Sequence, residues 1–314
     1  FIQSMGNNIV TLIQMKLTNK IKLLKYKSYA GCATNYTWNE ESDRIATGAT
    51  TTVFHALYKN SNKRVAVKRV PPQYITPDVV ANVYEEASIL NQVSQIPDNS
   101  CFVTFREAFV DKKGGLCLVT EYIPGTKLIH ITDKYPNGVP EYIAKDYIRQ
   151  ILEAIGKLHE NNIAHLDLKL ENILINSETN KIVIIDFGFS QNTVKYDYID
   201  GNMVEVPLTK FRGTPEYCSP ELVLGVPYDG EKADMWAIGV LTFTLLFSRF
   251  PFQGNNMTET FESILKNNPT FGSCSSAAES FIKSLFSETA SRRLNWQWAL
   301  CHPWFCSRPS YQLP

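Results

Sequence analysis

The sequence has no C-x-x-C pair, no net charge, no internal repeat and no apolar run long enough to span a bilayer. Each absence excludes something. The seven cysteines (Cys32, Cys101, Cys117, Cys218, Cys274, Cys301 and Cys306) are odd in number and scattered. Such a set reads as reduced thiols of a cytosolic protein, and it argues against a disulfide framework or a zinc site. Lys plus Arg and Asp plus Glu both total 31, so whole-chain charge argues neither for nor against a nucleic-acid or membrane partner. The longest apolar run, Ala237 to Phe247, is too short for a transmembrane segment and predicts a buried helix.

What is present is 314 residues, 44% hydrophobic and 20% charged. That is an ordinary globular composition, with room for two domains or one two-lobed unit. Residues 1–35 carry no catalytic signal and read as an extension of unknown role. The chain opens on Phe1, so its native start is not taken to lie there. Met5-Gly6 would suit myristoylation if Met5 were the initiator, but Val10 stands where that motif needs Ser or Thr. Lys16, Lys20, Lys22, Lys25 and Lys27 form a basic stretch, read as a solvated extension, with weak membrane or partner contact as the alternative.

The densest chemical signal is His165-Leu166-Asp167-Leu168-Lys169-Leu170-Glu171-Asn172. A carboxylate, an ammonium and a carboxamide fall between Asp167 and Asn172, separated by leucines that would anchor the loop in a core. An apolar run (Ile173 to Ile175), a turn (Asn176 to Asn180) and a second apolar run ending in Asp186-Phe187-Gly188 follow. Two short strands joined by that turn would return Asp186 beside Asp167 and Asn172. Two carboxylates and an amide oxygen facing one spot suit Mg²⁺, which prefers oxygen ligands and brings phosphates with it. One of the acids is left to accept a proton.

Upstream, Arg44 to Val53 is rich in small residues, Val53 to Tyr58 is β-prone, Asn60 to Asn62 makes a turn, and Arg64 to Val70 reads as a second strand. A hairpin tip of this kind can donate backbone N–H groups to phosphates, although Gly48 is its only glycine. Alternation puts Ala66 and Lys68 on one face, and Val65 and Val67 on the other. A helix is predicted next, with Thr76 as N-cap, Pro77 at its first position and Asp78 at the positive end of its dipole. Val79, Val83, Glu86 and Leu90 share one stripe of it. A carboxylate in an apolar stripe is costly unless paired, and Lys68 is the obvious partner for Glu86.

Phe102 to Phe109 and Leu116 to Thr120 read as strands around a Lys112 to Gly115 turn, and Glu121 to Gly125 reads as a linker. Ile143 to Leu158 keeps a helical period. Gly188 to Arg212 reads as a mobile surface loop, closed by Gly213 to Glu221. Asp234 to Gly239 opens the buried helix, and further helices run to His302-Pro303-Trp304-Phe305.

These pieces, in this order, resemble a eukaryotic protein kinase from about Trp38 to Cys306. Val-Ala-Val-Lys68, a helix glutamate 18 residues on, His-x-Asp-Leu-Lys-x-x-Asn, Asp-Phe-Gly, Ser-Pro-Glu and Asp-x-Trp-x-x-Gly together are far more specific than any one of them. The resemblance implies an α+β fold, residues 36–306. It divides into a small β-rich lobe with one key helix (36–120), a hinge (121–126) and a larger, mainly helical lobe (127–306), with 307–314 as a tail. It implies ATP and Mg²⁺ as cofactors, with ATP between the lobes near Glu121 to Ile123. Lys68 would hold phosphates and pair with Glu86, while Asn172 and Asp186 would bind Mg²⁺. Asp167 would accept the proton of the substrate hydroxyl, Lys169 would neutralise the transferring phosphoryl group, and Thr214 would complete the catalytic set. Ile45, Ala46, Gly48, Val53, Ala66, Thr120, Glu121 and Ile123 would contact the nucleotide.

Lys169 and Thr214 match the serine/threonine branch, so the implied partner is a protein with a Ser or Thr acceptor, in cytoplasmic signalling, with no nucleic acid. Leu-Glu-Asn after Lys169, Asp-Phe-Gly-Phe-Ser and His-Pro-Trp-Phe look most like the calmodulin-dependent kinase group. Cys306 to Pro314 is too short for a calmodulin-target helix, so calcium control from that end is not expected. Glu221 would pair with Arg293 for stability, and His165 would hold its loop against Phe187.

The chain departs from the family pattern in three places. Ala46, Gly48 and Thr51 stand against three glycines, which predicts weaker ATP binding. Leu166 replaces the arginine that usually pairs with a phosphorylated loop residue, and Lys210 occupies the usual phosphorylation position. Loop phosphorylation through that pair is therefore not expected to switch the enzyme on, although Thr209 is adjacent. A pseudokinase scaffold is the alternative reading; the intact set Lys68, Glu86, Asp167, Lys169, Asn172 and Asp186 speaks against it. For substrate choice, Glu171 would attract a basic residue and Lys127 would repel one.

Overall fold

The computed structural model describes residues 33–199 and 202–306. Met5-Gly6 and the basic stretch from Lys16 to Lys27 lie outside the described residues. The chain folds into two compact units, one comprising residues up to Gln95 with Val103–Ile123, the other Ile96–Phe102 with Pro124 onward.

The first unit is a six-stranded antiparallel sheet carrying one long helix. Its strands are β1 (Tyr36–Thr37), β2 (Arg44–Thr47), β3 (Thr52–Tyr58), β4 (Lys63–Val70), β5 (Phe105–Val110) and β6 (Leu116–Glu121), ordered β1-β3-β4-β6-β5 with β2 also on β3. Period-2 alternation sends Val65 and Val67 into a core with Tyr36, Ala56, Phe109, Cys117 and Val119, and leaves Ala66 and Lys68 on the other face. Arg69 pairs with Asp111, whose carboxylate also accepts the N–H groups of Lys113 and Gly115 and so closes the β5–β6 turn.

Helix α1 (Pro77–Val93) starts where its sequence signals put it. The Thr76 hydroxyl accepts the Val79 N–H, and Pro77 occupies the first turn. Its buried stripe is rotated slightly from the predicted one. Val80, Glu86, Ala87, Ile89, Leu90 and Val93 are buried, while Val79 and Val83 sit at the margin against Val70 and Leu116.

The second unit is mainly helical. Helix α2 (His130–Lys134) precedes the amphipathic α3 (Glu141–Glu160), which packs on α5 (Gly230–Phe247). Helix α5 begins at Gly230, earlier than its apolar run, because Asp229 caps it by accepting the Glu231 and Lys232 N–H groups. It is buried on all sides, as a helix apolar all round must be. Helices α4 (Pro220–Val223), α6 (Met257–Lys266), α7 (Ser276–Leu285), α8 (Trp296–Leu300) and α9 (Pro303–Cys306) complete the unit. None of the described helices is long and apolar enough to cross a membrane.

Strands β7 (Gly125–Lys127), β9 (Ile173–Asn176) and β10 (Ile182–Ile184) form a small sheet ordered β10-β9-β7, and β8 (Ile163–Ala164) pairs with β11 (Gln191–Asn192). The predicted pair of short strands after Asn172 is thus present.

Two expectations are corrected. Phe102 is not in strand β5. It belongs to the second unit, where it bridges Ile184 and packs edge-on against the Phe187 ring. The stretch after Gly188 is not simply loop, since β12 (Lys195–Ile199) and β13 (Asn202–Val206) pair as an antiparallel hairpin, Ile199 opposite Asn202. Tyr196, Tyr198, Val204 and Val206 are β-prone, and Asp200-Gly201 is a strong hairpin-turn dipeptide; the polarity of the stretch masked both signals.

Candidate active site

In the first unit the site is one sheet face. Cross-strand partners share a face, and Ala46 lies opposite Val53, Val53 opposite Lys68, and Ala66 opposite Thr120. Five of the predicted nucleotide contacts therefore lie side by side. Register adds His55 and Leu118 to this face, two neighbours the sequence reading did not single out. Lys68 Nζ donates to both oxygens of Glu86, at 2.8 and 3.1 Å. Glu86 is nearly buried, so it holds the ammonium in one position near the sheet face. Ile45 is exposed at an irregularity between Arg44 and Ala46. Gly48 donates its N–H to Thr51 O at 2.8 Å, which makes the tip a tight turn. Glu121 accepts the Thr104 N–H and hydroxyl at 3.0 and 2.9 Å, so its carboxylate is committed to the fold; Ile123, the last of these residues, is half-buried.

In the second unit the site is the loop from His165 to Asn172. Its conformation is anchored by Asp234 on α5, a residue that the sequence marks only as the opening of the buried helix and of the Asp-x-Trp-x-x-Gly motif. The Asp234 carboxylate, 1% exposed, accepts the His165 N–H on Oδ2 and the Leu166 N–H on Oδ1, both at 2.8 Å. His159 Nε2 lies 2.9 Å from the same Oδ2. Leu166 has φ +64°, unusual for a leucine, and this anchor offsets the strain. A buried acid in an otherwise apolar helix was the available signal. The His165 ring packs 5.2 Å from the Phe187 ring, as expected, and burial pushes its pKa down, keeping it neutral. Its Nδ1 accepts the Asp167 N–H at 3.2 Å.

The Asp167 carboxylate is gripped at both oxygens. Thr214 Oγ1 donates to Oδ1 at 2.8 Å, while Asn172 Nδ2 donates to Oδ2 at 2.9 Å. Lys169 Nζ lies 2.9 Å from Oδ2 and donates to Thr214 Oγ1 at 2.8 Å. Four of the predicted residues thus form one network. Gly213, with φ +110°, allows Thr214 to reach it, because a Cβ there would come within 2.9 Å of Leu166 O. The residue before Asp186 ties that strand end to the loop, the Ile185 N–H donating to Asn172 O at 3.0 Å. One Asp186 oxygen accepts the Gly188 N–H at 3.0 Å.

The donor set fits Mg²⁺. Asn172 spends its amide N–H groups on Asp167, which leaves its oxygen as an acceptor, and Asp186 supplies a carboxylate. Among the described residues no three His, Cys, Asp or Glu side chains cluster as a metal site. Mg²⁺ needs no such cage, since it takes one or two carboxylates and completes its shell with water and substrate phosphates.

Away from this network, Glu221 and Arg293 form the expected pair, at 2.8 and 3.2 Å, with Arg293 stacked 5.1 Å over Trp236. Thr209 and Lys210 are exposed, whereas Leu166 is buried.

Comparison with known proteins agrees with this geometry. A sequence model of the protein kinase domain matches residues 39–305. Myosin light chain kinase A of Dictyostelium discoideum is 35% identical over 279 residues, covering 86% of this chain and 89% of that protein. Calcium/calmodulin-dependent protein kinase type 1 of Caenorhabditis elegans is 32% identical over 304 residues, 92% of this chain and 81% of that protein. Serine/threonine-protein kinase 17A of Oryctolagus cuniculus is 32% identical over 269 residues, covering 83% of this chain and 64% of that protein. The chain belongs to the protein kinase family. Within it the chain is a serine/threonine kinase, an enzyme that transfers phosphoryl groups to protein hydroxyls, and nothing found favours the scaffold reading. Protein kinases generally use ATP and Mg²⁺.

Proposed function

We propose that this kinase uses Mg·ATP with Asp167 as the proton acceptor for a substrate serine or threonine hydroxyl. The observation that carries the reading is the grip on Asp167, with Thr214 on one oxygen and Asn172 and Lys169 on the other. A carboxylate fixed in this way presents a defined acceptor direction without reorganising during the reaction. Lys169 compensates negative charge next to it, and Lys68, oriented by Glu86, donates to nucleotide phosphates. Asn172 and Asp186 hold the metal. Bound Mg·ATP supplies the phosphoryl group and neutralises charge as it transfers. Ile45, Ala46, Gly48, Val53, Ala66, Thr120, Glu121 and Ile123 surround the nucleotide; the partial openness of Val53, Ala66 and Thr120 supports this.

We assign the kinase domain to residues 36–306, with the hinge at 121–126, and place the chain in the calmodulin-dependent group and in cytoplasmic signalling. The named relatives support the group. The six described cysteines, all unpaired, support a reducing compartment.

Mg·ATP-dependent transfer to a library of serine and threonine peptides tests the reading, with two variants alongside. Asp167→Asn should lower kcat by about 10²–10⁴-fold, the usual worth of general-base assistance, with nucleotide binding retained. Lys68→Met should weaken nucleotide binding. Transfer that survives Asp167→Asn would refute the assignment of the base.

A further inference from the structure

The first unit carries a cavity that the phosphotransfer site does not use. Strands β1 and β5 stand at opposite ends of the sheet order, yet the Tyr36 ring stacks 5.4 Å from the Phe109 ring, with 17° between their planes. The Tyr36 hydroxyl donates to Glu107 across the same gap, and Lys113 Nζ lies 2.9 Å from Glu40 Oε1. The sheet therefore curls until its two end strands meet through side chains. Along this seam lies a cavity of ≈ 710 Å³, bounded by residues between 33 and 41, by the β5–β6 turn and by Lys59 just past β3. That is the size of a small-molecule site. Tyr36 and Trp38 pack on the side of the sheet that carries Val65 and Val67, opposite Ala66 and Lys68. A ligand here would not meet the nucleotide face.

The wall is aromatic. Tyr36 is buried, whereas Trp38 is half-buried, its ring 6.2 Å from that of Phe54 and its indole N–H without a hydrogen-bond partner among the described residues. The polar groups of the rim divide into those already committed and those still available. Asp111 accepts Arg69 and the N–H groups of Lys113 and Gly115, so its charge is compensated inside the turn. Glu40 is paired with Lys113. The Asn39 side-chain oxygen accepts the Glu41 and Ser42 N–H groups at 2.8 and 3.1 Å, which leaves its amide N–H groups to donate. The Lys59 and Lys112 side chains have no ion pair or hydrogen bond among the described residues. The available donors are thus Lys59, Lys112, the Trp38 indole and the Asn39 amide, and the uncompensated carboxylate is the exposed Glu41.

We propose that this seam binds a small aromatic carboxylate, its ring against Trp38 and its charge toward Lys59 and Lys112. A flat ring gains apolar contact with the aromatic wall at low conformational cost. Two uncompensated ammonium groups against one carboxylate select an anion over a neutral molecule or a cation. Because the site spans both end strands of the curled sheet, its occupant stabilises the first unit by mass action.

Sodium naphthoate is the probe, titrated into the full chain while the indole N–H signals are followed by proton–nitrogen correlation NMR. The chain has five tryptophans, Trp38, Trp236, Trp296, Trp298 and Trp304, and Trp38→Phe identifies the Trp38 signal by its loss. That signal should shift saturably at millimolar naphthoate or below, the range open to a ligand of this size, while the other four stay in place. Lys59 and Lys112 are exposed, so the double variant Lys59→Glu/Lys112→Glu should fold as wild type and bind naphthoate about tenfold more weakly. Naphthalenemethanol, which keeps the rings and lacks the charge, should lose affinity by a similar factor. Saturating Mg·ATP should leave the Trp38 shift unchanged, since the two ligands occupy opposite faces. Absence of a saturable Trp38 shift, or a shift that Mg·ATP abolishes, would overturn the proposal. So would equal affinity in the charge-reversed variant, or equal affinity for naphthalenemethanol.

Discussion

Replacing Thr214 by valine isolates one hydroxyl. Valine keeps the shape of threonine, so no cavity opens and the fold around Gly213 and Tyr217 should be undisturbed. What disappears is the 2.8 Å bond to Asp167 Oδ1 and the acceptor for Lys169 at 2.8 Å. A hydrogen bond to a charged group is worth about 1.5–3 kcal/mol, or roughly 10–150-fold in rate if all of it were lost in the transition state. The loss is partial. Asn172 and Lys169 still hold Oδ2 at 2.9 Å each. The lower end of the range is therefore expected, about 10–30-fold in kcat. Thr214→Ser keeps the hydroxyl and should stay within about threefold of wild type on the same reasoning. Initial rates with Mg·ATP and a good peptide substrate give the comparison, and thermal melting confirms that both variants fold. A Thr214→Val enzyme as fast as wild type, or a Thr214→Ser enzyme as slow as Thr214→Val, would refute the claim that this hydroxyl positions the base.

Stability should fall in acid partly through Glu221. Burial raises its carboxyl, but the hydrogen bonds and charge of Arg293 outweigh burial and leave it below its ordinary value. A folded-state value depressed in this way gives stability that is complete above the unfolded value, about 4.3, and lost as pH falls through the folded one. Glu221→Gln should therefore melt at lower temperature near neutrality and show a shallower acid slope, with Glu141 and Asp111, similarly depressed, supplying the remainder. An unchanged slope between neutral and acid pH in thermal melts would contradict this. The cysteines should react in order of accessibility. Cys301 and Cys306 are exposed, whereas burial, with the charges of Asp167 and Glu216, pushes the Cys218 thiol up to about 12. Among the described cysteines, iodoacetamide at mildly alkaline pH should label Cys301 and Cys306 first and spare Cys117 and Cys218 until denaturant is added. Mass spectrometry that found Cys218 labelled early in native protein would mean that the cluster around Leu166 opens.

Where the physics is local, the sequence was legible. Thr76 and Pro77 mark a helix start within four residues, and alternation from Val65 to Lys68 assigns faces without reference to the rest of the chain. Glu86 in an apolar stripe asks for a cation, and Lys68 answers 18 residues away. The loop around Asp167 was legible because a dense motif left little freedom in its reading. Legibility ended where a residue's environment is supplied from far along the chain. Leu166 reads as an absent arginine in sequence; its packing depends on Leu208 and Tyr228, which no local pattern links to it. Asp234 reads as the first residue of a motif, and its two backbone partners lie in another element. Phe102 continues a β-prone run unbroken, yet its partners Ile184 and Phe187 draw it into the other unit. In the β12–β13 hairpin the competing signals are both local: the polar residues argue for a loop, the β-prone residues and the Asp-Gly dipeptide of the sequence for paired strands.

The anchoring of His165 and Leu166 by Asp234 has a consequence for synthesis. The contact spans 69 residues, and every motif up to Asp186 leaves the ribosome before its anchor does. A nascent chain that has just completed Asp186-Phe187-Gly188 holds the proposed base, Asp167, and the proposed metal ligands, Asn172 and Asp186, but lacks the carboxylate that satisfies the backbone of the strained loop at Leu166. Since chains emerge N-terminus first and domains fold as units, the loop can reach its working shape only after α5 has emerged and docked. The loop is in this sense unanchored until α5 has been made, and truncated products ending before Asp234 should lack the anchor of His165 and Leu166.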